Sequence, residues 1–281
     1  MKRAAILVIL VLLIGIATAA CGGSDSVVVE ISEQELIEGI LASADEQETC
    51  RFEMDIDGGI KGTVEGEYGE IDLIVDSTGV IDVVDQEMQA YMSMTTKINV
   101  GGQRDQMTVP MRMYFLGDLG YIGAPEGPGQ PEEWIKGDVS QELWESQELL
   151  SQQTELLRGA EVRLLKTESV KGTPCYVAEI TPDMDALYEL ISSQLMATED
   201  FGLTKDSITG YSAKGWYAKD TFFPMRSHVE YDVTIEVGSD TVTGSYKIDM
   251  LFYDYNKPVS IQLPSEAQNA QDVGSLDWYL Q

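Results

Sequence analysis

Six methionines are the residues whose type and spacing most favour a binding function. They fall on two segments whose apolar and polar residues alternate, which predicts neighbouring strands: Met88, Met92, Met94, Met107, Met111 and Met113. Unbranched thioethers adapt their shape, so a methionine-lined sheet suits a pocket for flexible apolar chains. Ordinary core packing and a soft Cu(I) site fit the same pattern. The single histidine of the chain and the absence of a methionine-rich loop weigh against copper.

Catalytic motifs are absent from the sequence. His228 lies on a predicted strand beside Arg226 and Glu230, and no nucleophile elbow, zinc-protease helix, phosphate-binding loop or dinucleotide fingerprint occurs. Residues 53–64 partly imitate a calcium loop, but Val64 stands where such a loop needs a bidentate Glu. A weak surface calcium site with Glu65 and Glu67 is the alternative. We therefore expect no enzyme, no cofactor and no metal.

Two cysteines, Cys50 and Cys175, lie within the predicted folded body. An even pair in an exported protein suggests a disulfide, which would stabilise the fold by closing a long loop. Two unpaired, buried thiols are the alternative interpretation.

The N-terminus reads as an export signal followed by an anchoring cysteine. Lys2 and Arg3 precede an uncharged run over residues 4–20, and small residues then lead to Cys21. This ending resembles the lipobox of bacterial lipoproteins, although Thr18 stands where that motif usually has Leu. We expect residues 1–20 to be removed, Cys21 to be acylated and residues 21–31 to form a tether. The alternative is an uncleaved transmembrane helix, for which the run is slightly short of the usual ~20 residues.

The formal net charge of −30 restricts the partners. An acidic chain of this kind repels nucleic acid and anionic lipid headgroups, so we expect no nucleic-acid partner. Attachment to a membrane would therefore depend on a lipid at Cys21, which would place the protein on the extracytoplasmic face of the cell membrane.

Three helices are predicted to position these residues. Ser32 and Glu35 form a capping-box pattern at the start of the first helix. The second is predicted between Asp138 and Gly159. The third begins after Thr181, with Pro and Asp in its first turn and a strong apolar stripe.

Alternation with a period of two predicts strands over most of the remaining chain. From Cys50 to about Ala124 we expect successive antiparallel strands, with a three-residue hairpin loop at residues 58–60 that pairs Asp57 with Lys61. Strands resume at about residue 162. We find no repeat and no change of composition that would divide the body, which favours one domain over residues 32–264 and a tail over residues 265–281.

The order of these parts resembles the LolA/LppX-like lipoproteins. A lipobox and a capped helix lead into residues 49–54, and residues 176–195 and 252–264 are similar to a strand-to-helix step and to the chain ending in that group. The resemblance implies an α+β fold: a strongly curved antiparallel half-barrel of roughly 10–12 strands, with about three helices on its concave face around an apolar cavity.

From this resemblance and the apolar patterns together, we expect a membrane-anchored protein that binds or transfers a lipid or acyl chain. The residues expected to line the cavity are Met54, Met92, Met94, Met107, Met111, Met113, Phe115, Leu187, Ile191 and Leu195. The alternative is a non-enzymatic envelope sensor or protein-binding module with a filled core. In that case the partner would be another envelope protein, recognised through the acidic surface or the second helix.

Overall fold

The structure, a computed structural model, describes residues 30–64, 67–125, 127, 129–139, 157, 159–188, 204–237 and 240–276. Its first element is helix α1, Glu33–Ser43. The predicted capping box is confirmed, because Ser32 Oγ accepts from the Glu35 amide at 3.2 Å and the Ser32 amide donates to Glu35 Oε2 at 2.8 Å. These two bonds satisfy donors that a helix start otherwise leaves unpaired.

Strands make up most of the described chain. They are β1 (Thr49–Val64), β2 (Glu67–Asp82), β3 (Glu87–Val100), β4 (Gln103–Leu116), β5 (Leu119–Pro125), β6 (Glu132–Asp138), β7 (Glu161–Val170), β8 (Thr173–Thr181), β9 (Ile208–Ala218), β10 (Pro224–Val237), β11 (Asp240–Tyr253) and β12 (Gln271–Ser275). Short 3₁₀ turns lie at Ala44–Glu46, Lys205–Ser207 and Ser265–Asn269.

All twelve strands form one sheet in the order β12-β6-β5-β4-β3-β2-β1-β11-β10-β9-β8-β7. Neighbouring strands are antiparallel, except that β12 pairs in parallel with β6. The chain therefore runs outward from β1 to β6, starts again with β7 at the opposite edge and runs inward to β11. The pairing of β1 with β11 joins the two series. This pairing brings the first and last thirds of the chain into direct contact.

The two faces of the sheet have different surroundings. We call core face the one that α1 covers. It carries a large apolar cluster in which Leu36 of α1 meets residues from β1 to β4 and from β7 to β11. The opposite face, the outer face, is partly covered by the segment before β12, whose Ile261 and Ala267 pack with Tyr114 and Trp134. The tail predicted from residue 265 thus contributes to the sheet.

The predicted α+β class, with about three helices on the concave face, is wrong. The described chain is mostly β, a curved twelve-stranded sheet with about two helices, α1 and the helical residues 184–188. Asp138, expected to cap the second helix, is the last residue of β6, and residues 140–156 lie outside the described part. The long strands supply most of one connected apolar cluster themselves, so the sheet needs less helical cover than the apolar stripes suggested.

The hairpin predicted at residues 58–60 is also wrong, because β1 continues through both glycines and pairs along its whole length with β2. A Cβ on Gly58 would lie 2.3 Å from the Tyr246 ring of β11. The glycine is therefore explained by a close side-chain approach in a straight strand. By contrast, the predicted adjacency of the two methionine segments is confirmed by the pairing of β3 with β4.

Candidate functional site

The core face brings together half of the residues predicted to line a ligand cavity. Alternation along β1, β3 and β4 turns every second residue towards this face, and the cluster contains Met54, Met92, Met94, Met113 and Phe115. Each is buried, with at most 9% of its surface exposed. A continuous apolar surface with several adaptable thioethers results.

The other predicted residues are distributed differently. Met111 is half-buried against the same cluster, whereas Met107, near the start of β4, is 46% exposed. Leu187 is buried in a separate small cluster with Ile208. Three residues lie outside the described part: Ile191, Leu195 and the proposed lipidation site Cys21.

The strand register produces a feature that the sequence did not indicate, which we call the methionine row. Met250 of β11 pairs with Met54 of β1, and Met54 pairs with Ser77 of β2. Ser77 pairs with Met92 of β3, and Met92 pairs with Met111 of β4. Four methionines and one serine thus form a line across five strands of the core face.

Ser77 is anomalous within this row. It is 4% exposed, and its hydroxyl has no hydrogen-bond partner among the described residues. Thioethers are only weak acceptors, so the neighbouring methionines offer little compensation. The buried hydroxyl therefore costs free energy as long as nothing accepts its hydrogen bond.

Tyr211 of β9, on the same face, also has a buried hydroxyl without a hydrogen-bond partner among the described residues. Its ring lies 6.4 Å from the Tyr231 ring, which in turn stacks at 5.1 Å on Tyr246 above Gly58. Burial raises the pKa of Tyr211 and of Tyr231 far above the ordinary tyrosine value, so both phenols stay neutral. The stack extends the core face with aromatic surface that has polar edges.

The outer face carries two adjoining grooves. One, of about 510 Å³, crosses β1 to β4 and is lined partly by Asp76, Tyr91 and Arg112. The other, of about 410 Å³, crosses towards β7 and is lined partly by Glu168, Trp216 and Arg226. Both grooves are also lined by Glu53 and Asp55, so they adjoin across the middle of the sheet. Apolar atoms supply most of the lining of the first groove, and polar atoms most of the lining of the second.

Like charges lie opposite each other where the two grooves adjoin, in the middle of the outer face. Asp55 stands directly opposite Asp76 on one side and Asp249 on the other. Burial, followed by the charges of Asp76 and Asp249, raises the pKa of the Asp55 carboxyl. Like charges directly opposite each other destabilise a sheet, so this face retains unfavourable electrostatics at neutral pH.

An arginine held between a carboxylate and a tryptophan borders each groove. Arg112 Nε donates to Glu132 Oε1 at 2.8 Å, and its guanidinium carbon lies 4.9 Å from the centre of the Trp134 ring. On the other side, the Arg226 guanidinium lies 4.9 Å from the Trp216 ring centre and donates to Asp249 Oδ1 at 2.7 Å. The planar guanidinium suits both contacts, which fix its position.

His228 lies on β10 and points to the outer face, opposite Asp249 of β11. Its Nδ1 is 3.0 Å from Asp249 Oδ2, and its Nε2 is 3.5 Å from Glu230 Oε1. Glu230 also accepts from Lys247, which lowers the pKa of this carboxyl. Within the described chain, no group of three or more His, Cys, Asp or Glu side chains is arranged to hold a metal ion.

Cys50 and Cys175 are free thiols in the structure. Cys50 lies on β1 and Cys175 on β8, and three strands stand between them in the sheet. With strands about 4.8 Å apart, the path along the sheet is far longer than the ~7 Å that a disulfide can span between Cα atoms. Burial raises the pKa of the Cys50 thiol to about 11 and also raises that of Cys175.

In the described residues, no helix is long and apolar enough to cross a membrane. No curated protein matches the chain. Similar solved structures include a DUF1329 family protein from Desulfovibrio piger, at 10% identity and a TM-score of 0.24, covering 82% of this chain and 94% of that one. The translocator domain of the autotransporter NalP from Neisseria meningitidis is 8% identical with a TM-score of 0.24, covering 79% and 94%. At these TM-scores neither structure carries an argument about this chain.

A family sequence model matches residues 32–272, which include α1 and eleven complete strands together with the start of β12. The match covers well over half of the chain and nearly all of the described sheet. The protein therefore belongs to DUF6612, a family of unknown function.

Proposed function

We propose that this protein is a lipid-anchored, extracytoplasmic binding protein that holds or transfers an apolar ligand, such as an acyl chain, against the core face. The observation that carries the proposal is the gathering of Met54, Met92, Met94 and Met113 in one buried cluster on a curved sheet. Flexible thioethers can repack around chains of different shape. The similarity of the sequence to LolA/LppX-like lipoproteins supports the same function.

The mechanism would be physical and would involve no chemical step. Apolar surface that leaves water contributes about 25 cal/mol per Å², so an acyl chain gains affinity from contact area alone. Helix α1 covers one part of the core face through Leu36, and its displacement is the proposed route of entry.

A lipid at Cys21 would hold α1 and the proposed entry route near a membrane. The described chain begins at Glu30, which pairs with Lys219 at 3.8 Å beside the turn between β9 and β10. Only eight residues separate this point from Cys21, a reach of roughly 30 Å when extended. Loading, unloading or sensing at one membrane fits such a short tether better than free shuttling does.

The test is direct. Tagless protein is purified, and its extract is analysed by mass spectrometry for lipid, with uptake of the neutral probe N-phenyl-1-naphthylamine measured in parallel. We expect co-purified lipid and saturable uptake. A matched pair of variants controls for surface effects: Met92→Ala should change uptake, and Leu119→Ala, at an exposed position of the outer face, should not. Lipid-free protein that takes up no probe would refute the proposal.

The anchor has its own test. We expect Cys21→Ala to move the protein from the membrane fraction to the soluble fraction and to slow ligand exchange with vesicles. If the variant stays membrane-bound, the lipidation proposal is wrong. Unchanged exchange by a released variant would contradict the role of the tether.

A second function, recognition of another envelope protein, is favoured by the grooves of the outer face. Glu53, Asp55 and Asp76 supply negative charge at their centre, which is complementary to a basic segment of a partner. Crosslinking from Asp55→Cys would capture such a partner, whereas the same cysteine at Met107 should not. Loss of capture at raised salt would support an electrostatic contact.

A further inference from the structure

We propose that the ligand of the core face is an amphiphile with a neutral carbonyl, such as an acyl ester, and that Ser77 donates a hydrogen bond to this carbonyl. The inference rests on the proposed function and names its ligand class. It originates in a mismatch between Ser77 and its surroundings.

The side chains around Ser77 are apolar, so an apolar residue would be more stable at this position. It lies between Met54 and Met92 in the methionine row, and both are at most 4% exposed. Val75, two residues earlier on the same face of β2, is 1% exposed and purely apolar. A serine between such neighbours lowers stability, because its hydroxyl has lost water without gaining a partner.

The orphaned hydroxyl indicates what the ligand must provide. Among the described residues nothing accepts its hydrogen bond, although the large majority of buried side-chain polar atoms in proteins have a partner. The methionine sulfurs on either side are poor acceptors. A carbonyl oxygen of a bound molecule would satisfy the donor, and the same molecule's hydrocarbon would occupy the surface of the adjacent thioethers.

The acceptor should be uncharged. Among the described residues no buried side chain is a lysine, arginine or histidine. Lys219, whose Nζ lies 5.0 Å from the centre of the Tyr176 ring at the edge of the cluster, is partly exposed and pairs with Glu30. A carboxylate buried there would carry an uncompensated charge, which costs far more than a neutral ester. The site should therefore prefer an ester to a free fatty acid at neutral pH, and to a hydrocarbon of equal length.

Displacement of N-phenyl-1-naphthylamine from the delipidated full chain tests this. Wild-type protein should bind methyl palmitate about three- to tenfold more tightly than heptadecane, in line with one hydrogen bond. Ser77→Ala should remove that preference by weakening methyl palmitate while leaving heptadecane unchanged. Ser77→Thr, which keeps the hydroxyl, should retain the preference.

The matched control is Ser93→Ala, one strand away and opposite Asp76. This serine lies on the outer face, so its removal should alter neither ligand. Without ligand, Ser77→Ala should melt at a slightly higher temperature than wild type, which also shows that the variant folds.

The outcomes separate the two proposals. Equal binding of both ligands by wild type and Ser77→Ala overturns the carbonyl contact and leaves the apolar binding function intact. Tighter binding of palmitate than of its methyl ester would overturn the preference for a neutral carbonyl. Failure of the wild-type protein to bind the probe or either ligand would overturn the proposed function itself.

Discussion

Replacement of Gly39 by alanine tests how closely α1 is packed against the sheet. Gly39 lies in the interior of α1, where alanine is normally favoured over glycine by about 1 kcal/mol. The structure predicts the opposite sign. A Cβ at this position would lie 2.6 Å from two atoms of the Phe222 ring and 2.7 Å from a third.

The Phe222 ring has little freedom to move. It stacks on Tyr176 with ring centres 6.2 Å apart, and its backbone has a φ of 59° in the tight turn that precedes β10. Overpacking of this kind costs about 1–3 kcal/mol. After subtraction of the gain in helix propensity, we expect Gly39→Ala to destabilise the protein by about 0–2 kcal/mol, which lowers the melting temperature by up to roughly 8 °C.

Urea and thermal unfolding of the purified protein provide the measurement. Ala42→Gly, at an exposed position of α1, is the control for propensity and should cost about 1 kcal/mol. In a Phe222→Ala background, where the ring is gone, Gly39→Ala should become stabilising. The reasoning is refuted if Gly39→Ala alone raises the melting temperature, or if the double-mutant cycle shows no coupling.

Two further predictions concern charge and thiols. The pKa of Asp55 is raised in the folded state. Its ionised form therefore destabilises the fold once the pH exceeds the ordinary aspartate pKa of about 3.9. Asp55→Asn should raise the free energy of unfolding at pH 7 by about 0.5 kcal/mol and should have no effect well below pH 4. Asp57→Asn, opposite Lys247, is the control and should not stabilise; equal unfolding curves for Asp55→Asn and wild type at pH 7 would contradict the like-charge argument. In the Cys21→Ala variant, which keeps two of the three cysteines, Cys50 and Cys175 should react slowly with Ellman's reagent in the folded protein at pH 8, since burial raises both pKa values. This variant should give two free thiols in guanidinium, whereas a disulfide would give none.

Local patterns in the sequence were sufficient for features that depend on near neighbours. The capping box of Ser32 and Glu35 is confirmed because it involves residues three positions apart. The adjacency of the methionine strands is confirmed because a short turn joins β3 to β4. Alternation also placed Met54, Met92, Met94, Met113 and Phe115 on one buried face.

Features that depend on distant pairing required the tertiary structure. The methionine row exists because β1 pairs with β11, almost 200 residues later, which brings Met250 beside Met54. The Ser77 hydroxyl, which has no partner among the described residues, and the opposition of Asp55 to Asp249 follow from the strand registers of β1. A one-residue change of register would send each side chain to the other face, and residue spacing along the chain does not determine which strands meet.

The sequence by itself thus determined a one-domain interpretation, mainly strands with a capped first helix, and an apolar methionine-rich face. It overestimated the helices, because an apolar stripe shows that a segment needs cover and does not show how much cover the sheet needs. It also mistook Gly58 for a turn, since the reason for that glycine is the Tyr246 ring on another strand. Only the tertiary structure determined which polar groups are buried among apolar side chains, because burial depends on contacts between segments far apart in the chain.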